Sequence, residues 1–197
     1  MAAVVALSLL EVIRARDLPT EILGSEDPAQ TMPRRLGLSE AVELQIRRYR
    51  QEVRRRRRIT DAEVKDLFGL VLRRPDSGEA FFQVGEMLAG KDAPNRVMKR
   101  LVPQRVLYAL ARRQIQKRIQ FLFGRSVGGF GHGGFNLEAR AHFLLDMDPG
   151  GDACALLTGL SQVVLERYLP QGPAVIHSRC QSRKDEICQW VVKGGGR

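Results

Sequence analysis

The feature that most constrains the fold is a change in the spacing of apolar residues near Arg118. Before this point, apolar residues recur at intervals of three and four, which is typical of helices that bury one face. After it, short apolar runs alternate with glycine-rich and polar turns, and a helical pattern at 154–169 separates two pairs of them. The order strand, strand, helix, strand, strand predicts a mostly antiparallel sheet. We therefore predict an α+β fold with helices packed on that sheet.

The pattern predicts one main domain behind an N-terminal segment. We assign 1–37 to a helix, predicted at 2–15, followed by a proline-containing arm. Residues 38–197 then form the domain, with a helical part at 38–117 and the strand-containing part at 118–192. In the helical part, Ser39 is predicted to cap one helix, and "TDAE" (60–63) is predicted to form a capping box, with Thr60 as the cap and Glu63 reaching back. The first of these helices carries one apolar stripe: Leu38, Val42, Ile46, Tyr49 and Val53.

Four segments of the second half have the composition of strands. The first pair is predicted in "IQFLFGRSV" (119–127) and "FNLEARAHFLL" (135–145), with the glycine-rich "GGFGHGG" between them as a loop or an irregular strand. The second pair is predicted in "AVIHSRC" (174–180) and "ICQWVV" (187–192), joined by the polar turn "QSRKDE". This second pair predicts a hairpin.

The cysteines and one histidine lie where a hairpin and a helix start would bring them together. Cys180 ends one predicted strand, Cys188 begins the next, His177 precedes Cys180, and Cys154 lies in the first turn of the helix. Four thiolate and imidazole ligands are typical of structural zinc, and a helix N-terminus favours a thiolate. The alternative is three buried free cysteines and an unrelated histidine. The metal interpretation requires a bulge near Cys180, because residues 177 and 180 of a regular strand point to opposite faces.

The stretch from "CALLTG" to "HSRCQSRKDEIC" resembles the 4-vinyl reductase domain family, whose fold is shared with transport-protein-particle subunits. The likeness is greatest to the sensor domains of phenol-responsive bacterial transcription activators, and it covers about residues 120–192. Gly159 matches a glycine of the same helix, whereas His177 replaces a glutamate and Lys184-Asp185 replaces a glycine-aspartate pair. The resemblance implies a structural zinc with four ligands: Cys154, His177, Cys180 and Cys188.

The resemblance also implies an apolar pocket between sheet and helices that holds a small hydrophobic or aromatic ligand. The phenol sensors use a histidine and a tryptophan for the hydroxyl group, and the corresponding hairpin here has no tryptophan. The alternative for each aromatic side chain is an ordinary place in the core. Candidate pocket residues are Phe121, Phe123, Phe130, His132, Phe135, His142, Phe143, Tyr168 and Trp190.

The positive charge of the chain is concentrated in one segment. The net charge is +10, and the segment 34–58 contains ten arginines and three glutamates, a balance of +7. One interpretation is the solvated face of a packed helix. The other is a site for nucleic acid, anionic lipid or an acidic partner. The candidate polyanion-binding residues are Arg47, Arg48, Arg50, Arg54, Arg55, Arg56, Arg57 and Arg58.

These observations predict a non-enzymatic small-molecule-binding or sensor domain with a structural zinc, in transcriptional or signalling control. The alternatives are a polyanion-binding or scaffold protein and, through the family resemblance, an accessory protein of tetrapyrrole (bacteriochlorophyll) metabolism. No nicotinamide fingerprint or P-loop is present, and a closed set of four ligands leaves no position for a substrate.

The sequence also predicts where the protein is located and how it assembles. The apolar start has no basic segment before it and no cleavage motif, and it is too short to span a bilayer, so we expect a cytoplasmic protein. The related proteins dimerise through helices. We therefore expect a homodimer, with the stripe from Leu38 to Val53 and the face of "FFQVGEMLA" as candidate contacts.

Overall fold

The computed structural model describes residues 1–17, 39–94, 101–131, 135–169 and 172–193. It confirms the α+β class, with helices packed against a four-stranded antiparallel sheet. The predicted arm at 18–37, Leu38 and His132 lie outside the described residues. The helices are α1 (Ala3–Asp17), α2 (Glu40–Arg54), α3 (Asp61–Leu72), α4 (Ser77–Leu88), α5 (Gln104–Phe123), α6 (Phe143–Met147) and α7 (Ala155–Tyr168). The strands are β1 (Gly129–Phe130), β2 (Asn136–Ala139), β3 (Val175–Arg179) and β4 (Cys188–Val192).

The sheet has the order β1-β2-β4-β3, and each neighbouring pair is antiparallel. Trp190 occupies its centre, opposite Leu137 on β2 and His177 on β3. The register of β3 against β4 shifts between His177 and Arg179. The expected bulge is therefore confirmed, and it lets His177 and Cys180 turn toward the same side of the sheet.

Two glycines let α4 and α7 cross in close contact. A Cβ on Gly85 would overlap the carbonyl oxygen of Leu156, and a Cβ on Gly159 would overlap the carbonyl oxygen of Phe82. Only glycine permits backbones to approach this closely. The crossing fixes the N-terminal end of α7, which bears Cys154, against the helical layer.

The predicted helix caps are confirmed for the two helices that follow the arm. Ser39 accepts a hydrogen bond from the amide of Val42, and Thr60 accepts one from the amide of Glu63. The Glu63 side chain, which a capping box would turn back toward Thr60, instead accepts from the Tyr49 hydroxyl and pairs with Arg48. It thereby joins α3 to α2.

The first predicted strand, at 119–127, was wrong. Residues 119–123 continue α5, which ends at Phe123 and is closed by Gly124 in the left-handed conformation with φ of 71°. Ile119, Leu122 and Phe123 are buried at helical spacing, so packing selects the helix over the strand propensity of this run. The predicted order of strand, strand, helix, strand, strand still holds, because the first strand, β1, forms in the glycine-rich segment instead.

The second predicted strand, at 135–145, was too long. It ends at Ala139, and His142 directly precedes the short helix α6 and does not lie in a strand. Phe143 and Leu144 on α6 are buried. The strand ends there because Ala141 has φ of 43°, which a regular strand does not accommodate.

Several residues of both faces proposed for dimer contacts are packed inside this chain. Val42, Ile46 and Tyr49 are buried where α2 meets α1. Phe81 and Val84 are buried on α4, which packs against α7. These residues therefore belong to the core of the single chain. No helix within the described residues is long and apolar enough to cross a membrane.

Candidate metal centre

Three separate segments bring the four predicted ligands together. Cys154 ends a 3₁₀ turn (Asp152–Cys154) that leads into α7, His177 lies on β3, Cys180 follows the end of β3, and Cys188 begins β4. Their ligand atoms all lie within 4.8 Å of one another. All three cysteines are buried, and His177 is half-buried. The four residues predicted from the sequence are therefore the four that the fold brings together.

The sulfur atoms are spaced for a metal ion and not for a disulfide. The Sγ atoms of Cys180 and Cys188 lie 4.0 Å apart, about twice the disulfide bond length of ~2.05 Å. Tetrahedral coordination with metal–sulfur bonds of about 2.3 Å gives sulfur–sulfur distances of about 3.8 Å. The Nε2 atom of His177 is buried and has no hydrogen-bond partner among the described residues. Spacing and donor types thus fit a four-coordinate metal ion.

The loop before Cys154 is organised by Asp148. Its carboxylate accepts from the amides of Gly150 and Ala153, at 2.9 and 2.7 Å. Gly151 has φ of 92°, and a Cβ at this position would press on the sulfur of Cys180. The cluster therefore needs a glycine here, both for the turn and for the space beside the sulfur.

The β3–β4 turn is held by its own polar contacts. Asp185 accepts from the amide of Cys180 at 2.7 Å, and the amide of Gln181 donates to Cys188 Sγ at 3.4 Å. Lys184 closes the 3₁₀ turn Gln181–Arg183 with φ of 71°. A left-handed residue other than glycine is uncommon at such a turn.

Two of the thiols, Cys154 and Cys188, shift each other's pKa in opposite directions. The interaction between these two thiols lowers the pKa of Cys188 and raises the pKa of Cys154. The nearby imidazoles of His142 and His177 and the Gln181 amide, which donates to Cys188 Sγ at 3.4 Å, lower the pKa of Cys188 further, whereas burial raises the pKa of both thiols. The neighbouring groups therefore favour the thiolate form of Cys188.

Two further residues adjoin the cluster. The Trp190 indole donates to the Cys154 carbonyl oxygen at 3.3 Å, and its ring stacks on His177. His142 Nε2 lies 3.9 Å from Cys154 Sγ. The sequence reasoning placed both residues in a ligand pocket. The rarity of histidine, with three in the chain, was the signal that could have connected His142 with the cysteines.

The other candidate pocket residues are distributed over several places. Phe123 pairs with Phe143 in the core, with ring centroids 4.7 Å apart, and Phe130 pairs with Phe135 at 5.4 Å. Tyr168 is half-buried at the end of α7.

Two of the aromatic candidates border clefts. Phe121 is 56% exposed on α5 and borders a cleft of about 580 Å³. Phe130 borders a second cleft of about 360 Å³. The structure therefore does not gather these residues around one cavity.

The eight candidate arginines divide into paired and unpaired groups. Arg48 pairs with Glu63, Arg50 with Glu11 and Arg57 with Glu52, and Arg58 donates to the Phe121 carbonyl oxygen. All eight are exposed. Within the described residues, no ion pair involves the remaining four: Arg47, Arg54, Arg55 and Arg56.

Comparison with protein-family models, curated proteins and solved structures finds no match to this chain. The functional interpretation of the cluster therefore depends on its geometry and donor chemistry. Three cysteines and one histidine lie close enough together to bind a metal ion.

Proposed function

We propose that this chain is a non-enzymatic, zinc-stabilised small-molecule-binding domain of the 4-vinyl reductase type. The observation that carries the proposal is the cluster of three thiols and one imidazole, with all ligand atoms within 4.8 Å. Three cysteines and one histidine form a donor set typical of structural zinc. Such a set fills the tetrahedral shell, which supports a structural role over a catalytic one.

Zinc would join two parts of the fold that the backbone connects only at a distance. Cys154 belongs to the start of α7, whereas Cys180 and Cys188 belong to the β3–β4 turn. A bound ion would neutralise charge that the buried thiolates cannot carry alone, and its binding free energy would add to the stability of the fold. The three thiolates and His177 would be its ligands.

The proposed ligand site is the cleft beside Phe121. Its wall combines apolar groups of Ile119, Phe121 and Val127 with polar groups of Gln116, Lys117, Gln120 and Ser126. The volume of about 580 Å³ is within the range of small-molecule sites. An apolar wall beside a lysine and amide groups favours an amphipathic ligand with an acidic or hydroxyl group.

The metal content of untagged protein tests the first half of the proposal. We expect one zinc per chain by mass spectrometry of the native protein, and three unreactive thiols until the metal is removed. Cys180→Ser should lower the free energy of unfolding by more than about 2 kcal/mol, because removal of a ligand weakens metal binding that is coupled to folding. Glu186→Ser, at an exposed position of the same turn, is the control. Metal-free native protein with three reactive thiols would refute the zinc assignment.

A thermal-shift screen of apolar acids, phenols and tetrapyrroles tests the second half. A bound ligand should raise Tm with its concentration. Phe121→Ser should remove this response, whereas Phe130→Ser, at the separate cleft, should keep it. A response that disappears only in the Phe130 variant would place the ligand at the other cleft, and the absence of any response would count against the ligand proposal.

The exposed arginines favour a second candidate function, the binding of a phosphate polyanion. Arg54, Arg55 and Arg56 are consecutive and exposed at the end of α2, and no ion pair within the described residues occupies them. Guanidinium groups without a carboxylate partner are available for phosphate contacts. The salt dependence of DNA binding tests this function.

A further inference from the structure

His142 is a buried polar residue that the four-ligand set leaves unused. It is 5% exposed, and its Nε2 atom lies 3.9 Å from Cys154 Sγ. Its Nδ1 atom is also buried and has no hydrogen-bond partner within the described part of the chain. The ring packs beside Trp190, with centroids 5.7 Å apart. One nitrogen of this imidazole therefore faces the thiol cluster, and the other faces no proton acceptor among the residues that the structure describes.

The net negative charge of the proposed centre has to be stabilised by hydrogen-bond donors. A divalent zinc ion with three thiolates and a neutral imidazole carries one net negative charge. The sulfur atoms of Cys154, Cys180 and Cys188 are buried, so water does not solvate this charge, and donors from the protein must do so. The Gln181 amide supplies one such donor to Cys188. The nearest corresponding group for Cys154 is His142.

The two nitrogens of His142 also decide where its proton lies. A neutral imidazole carries one N–H. A proton on Nδ1 would be a buried donor without an acceptor, which is costly. A proton on Nε2 faces the Cys154 sulfur, which becomes a strong acceptor when it is a thiolate. The surroundings therefore favour the Nε2–H form.

We propose that His142 donates an Nε2–H hydrogen bond to the Cys154 thiolate of the metal-bound centre and acts as a positioning residue for it. This inference rests on the proposed zinc site. The hydrogen bond withdraws negative charge from the sulfur, which makes Cys154 less nucleophilic and holds it in place for the metal. Removal of such an outer-shell partner typically weakens metal affinity by about 10- to 100-fold.

The test compares His142→Leu with His142→Gln. Leucine has a similar size and no donor, whereas glutamine keeps an N–H near the position of Nε2. The measurements are the zinc Kd by competition with a chromophoric chelator, the absorption spectrum of the cobalt(II) form, and the alkylation rate of Cys154 by mass spectrometry. We expect the leucine variant to bind one metal about 10- to 100-fold more weakly and to alkylate faster at Cys154. Its cobalt spectrum should remain tetrahedral with three thiolates, and the glutamine variant should approach wild type in all three measurements.

The alternative outcomes separate this inference from the zinc proposal. A leucine variant equal to wild type in affinity and alkylation overturns the inference and leaves the zinc site intact. A cobalt spectrum that changes its coordination geometry shows that His142 is itself a ligand, which also overturns the inference. Wild-type protein without metal refutes both proposals together.

Variants that fail to fold are also decisive. If the leucine variant unfolds while the glutamine variant keeps its metal, the outcome supports the inference, because loss of the N–H donor has then weakened metal binding enough to unfold the protein. Unfolding of both variants indicates that His142 acts only through packing, and this outcome overturns the inference.

Discussion

The indole ring of Trp190 stacks on the imidazole of His177, with centroids 4.6 Å apart and planes inclined by 11°. The same indole donates to the carbonyl oxygen of Cys154. Trp190 is fully buried at the centre of the sheet and is the single tryptophan of the chain. It therefore contacts two of the four proposed ligands, and its environment depends on how those ligands are held.

Intrinsic fluorescence should therefore report metal binding. If zinc is bound as proposed, its removal would free His177 and loosen the β3–β4 turn, and we then expect the Trp190 emission to shift toward longer wavelength as water reaches the indole. Titration of zinc into metal-free protein should reverse the shift and end at one equivalent per chain. In Cys188→Ser this end point should disappear. An emission spectrum that stays unchanged after verified removal of the metal would contradict the contacts of Trp190 with His177 and Cys154.

The close crossing of α4 and α7 predicts a strong effect of one methyl group. Gly159→Ala should destabilise the protein by about 1–3 kcal/mol or more, because the added Cβ overlaps the Phe82 backbone and the helices must separate. Gly69→Ala is the matched control, since Gly69 lies within α3 and a Cβ there meets no atom within 4 Å. This control should gain about 0.5–1 kcal/mol from helix propensity. Urea unfolding of both variants measures the difference, and equal effects would exclude the close approach.

The turn next to the proposed metal should be improved by a glycine. Lys184 has φ of 71° and is exposed, and a non-glycine residue in this conformation costs about 1 kcal/mol. Lys184→Gly should therefore raise the free energy of unfolding by about 0.5 kcal/mol after the entropy of the unfolded chain is included. Lys184→Ala removes the same charge without relieving the conformation, so it separates the two effects. A glycine variant no more stable than the alanine variant would argue against the left-handed turn.

An ion-pair network at Asp76 predicts a defined decrease of stability in acid. Hydrogen bonds from Arg74 and then Arg16 lower the pKa of Asp76 to about 2, against an ordinary value of 3.8. A lowered pKa in the folded state contributes stability that is fully present above pH 3.8 and is lost as the pH falls toward 2. The contribution is at most about 2 kcal/mol.

Asp76→Asn tests this contribution because it keeps the shape of the side chain without its charge. The variant should be less stable than wild type at neutral pH, and the difference should shrink between pH 3.8 and about 2. Chemical unfolding at a series of pH values measures it. A difference that stays constant down to pH 2 would indicate that the charge of Asp76 is not the cause.

The cluster of three cysteines and His177 was predictable because most of its spacing is local. Cys180 and Cys188 flank one turn, His177 lies on the same strand as the approach to Cys180, and Cys154 starts a helix with a clear apolar pattern. The bulge near Cys180 could also be predicted, because residues 177 and 180 of a regular strand would point to opposite faces of the sheet. The sequence analysis placed His142 in a ligand pocket and not beside Cys154, because that contact depends on a short helix and a left-handed Ala141.

The errors at 119–123 and 140–145 have a common physical origin. Both segments contain β-branched or aromatic residues whose strand propensity is weaker than the effect of packing. The helical spacing of Ile119, Leu122 and Phe123 was visible in the sequence, and Gly124 was a plausible helix stop. The sheet instead formed at Gly129–Phe130, where propensity is low and pairing with β2 decides the structure. Tertiary contacts thus determine the elements whose local signals conflict.

The arginine segment predicts a specific dependence of DNA binding on salt. If Arg54, Arg55 and Arg56 bind phosphates, the triple change to glutamine should reduce the slope of log K against log salt by about 0.9 for each phosphate that is no longer neutralised. The control changes three exposed cations elsewhere to glutamine, Lys91, Arg105 and Lys184, which removes the same net charge. Fluorescence anisotropy with a short duplex between about 50 and 200 mM salt measures both slopes. Equal slopes for the two triple variants would show that only the overall charge matters, and the helix face would then be a solvated surface. Binding to anionic vesicles but not to the duplex would assign the segment to a membrane surface instead.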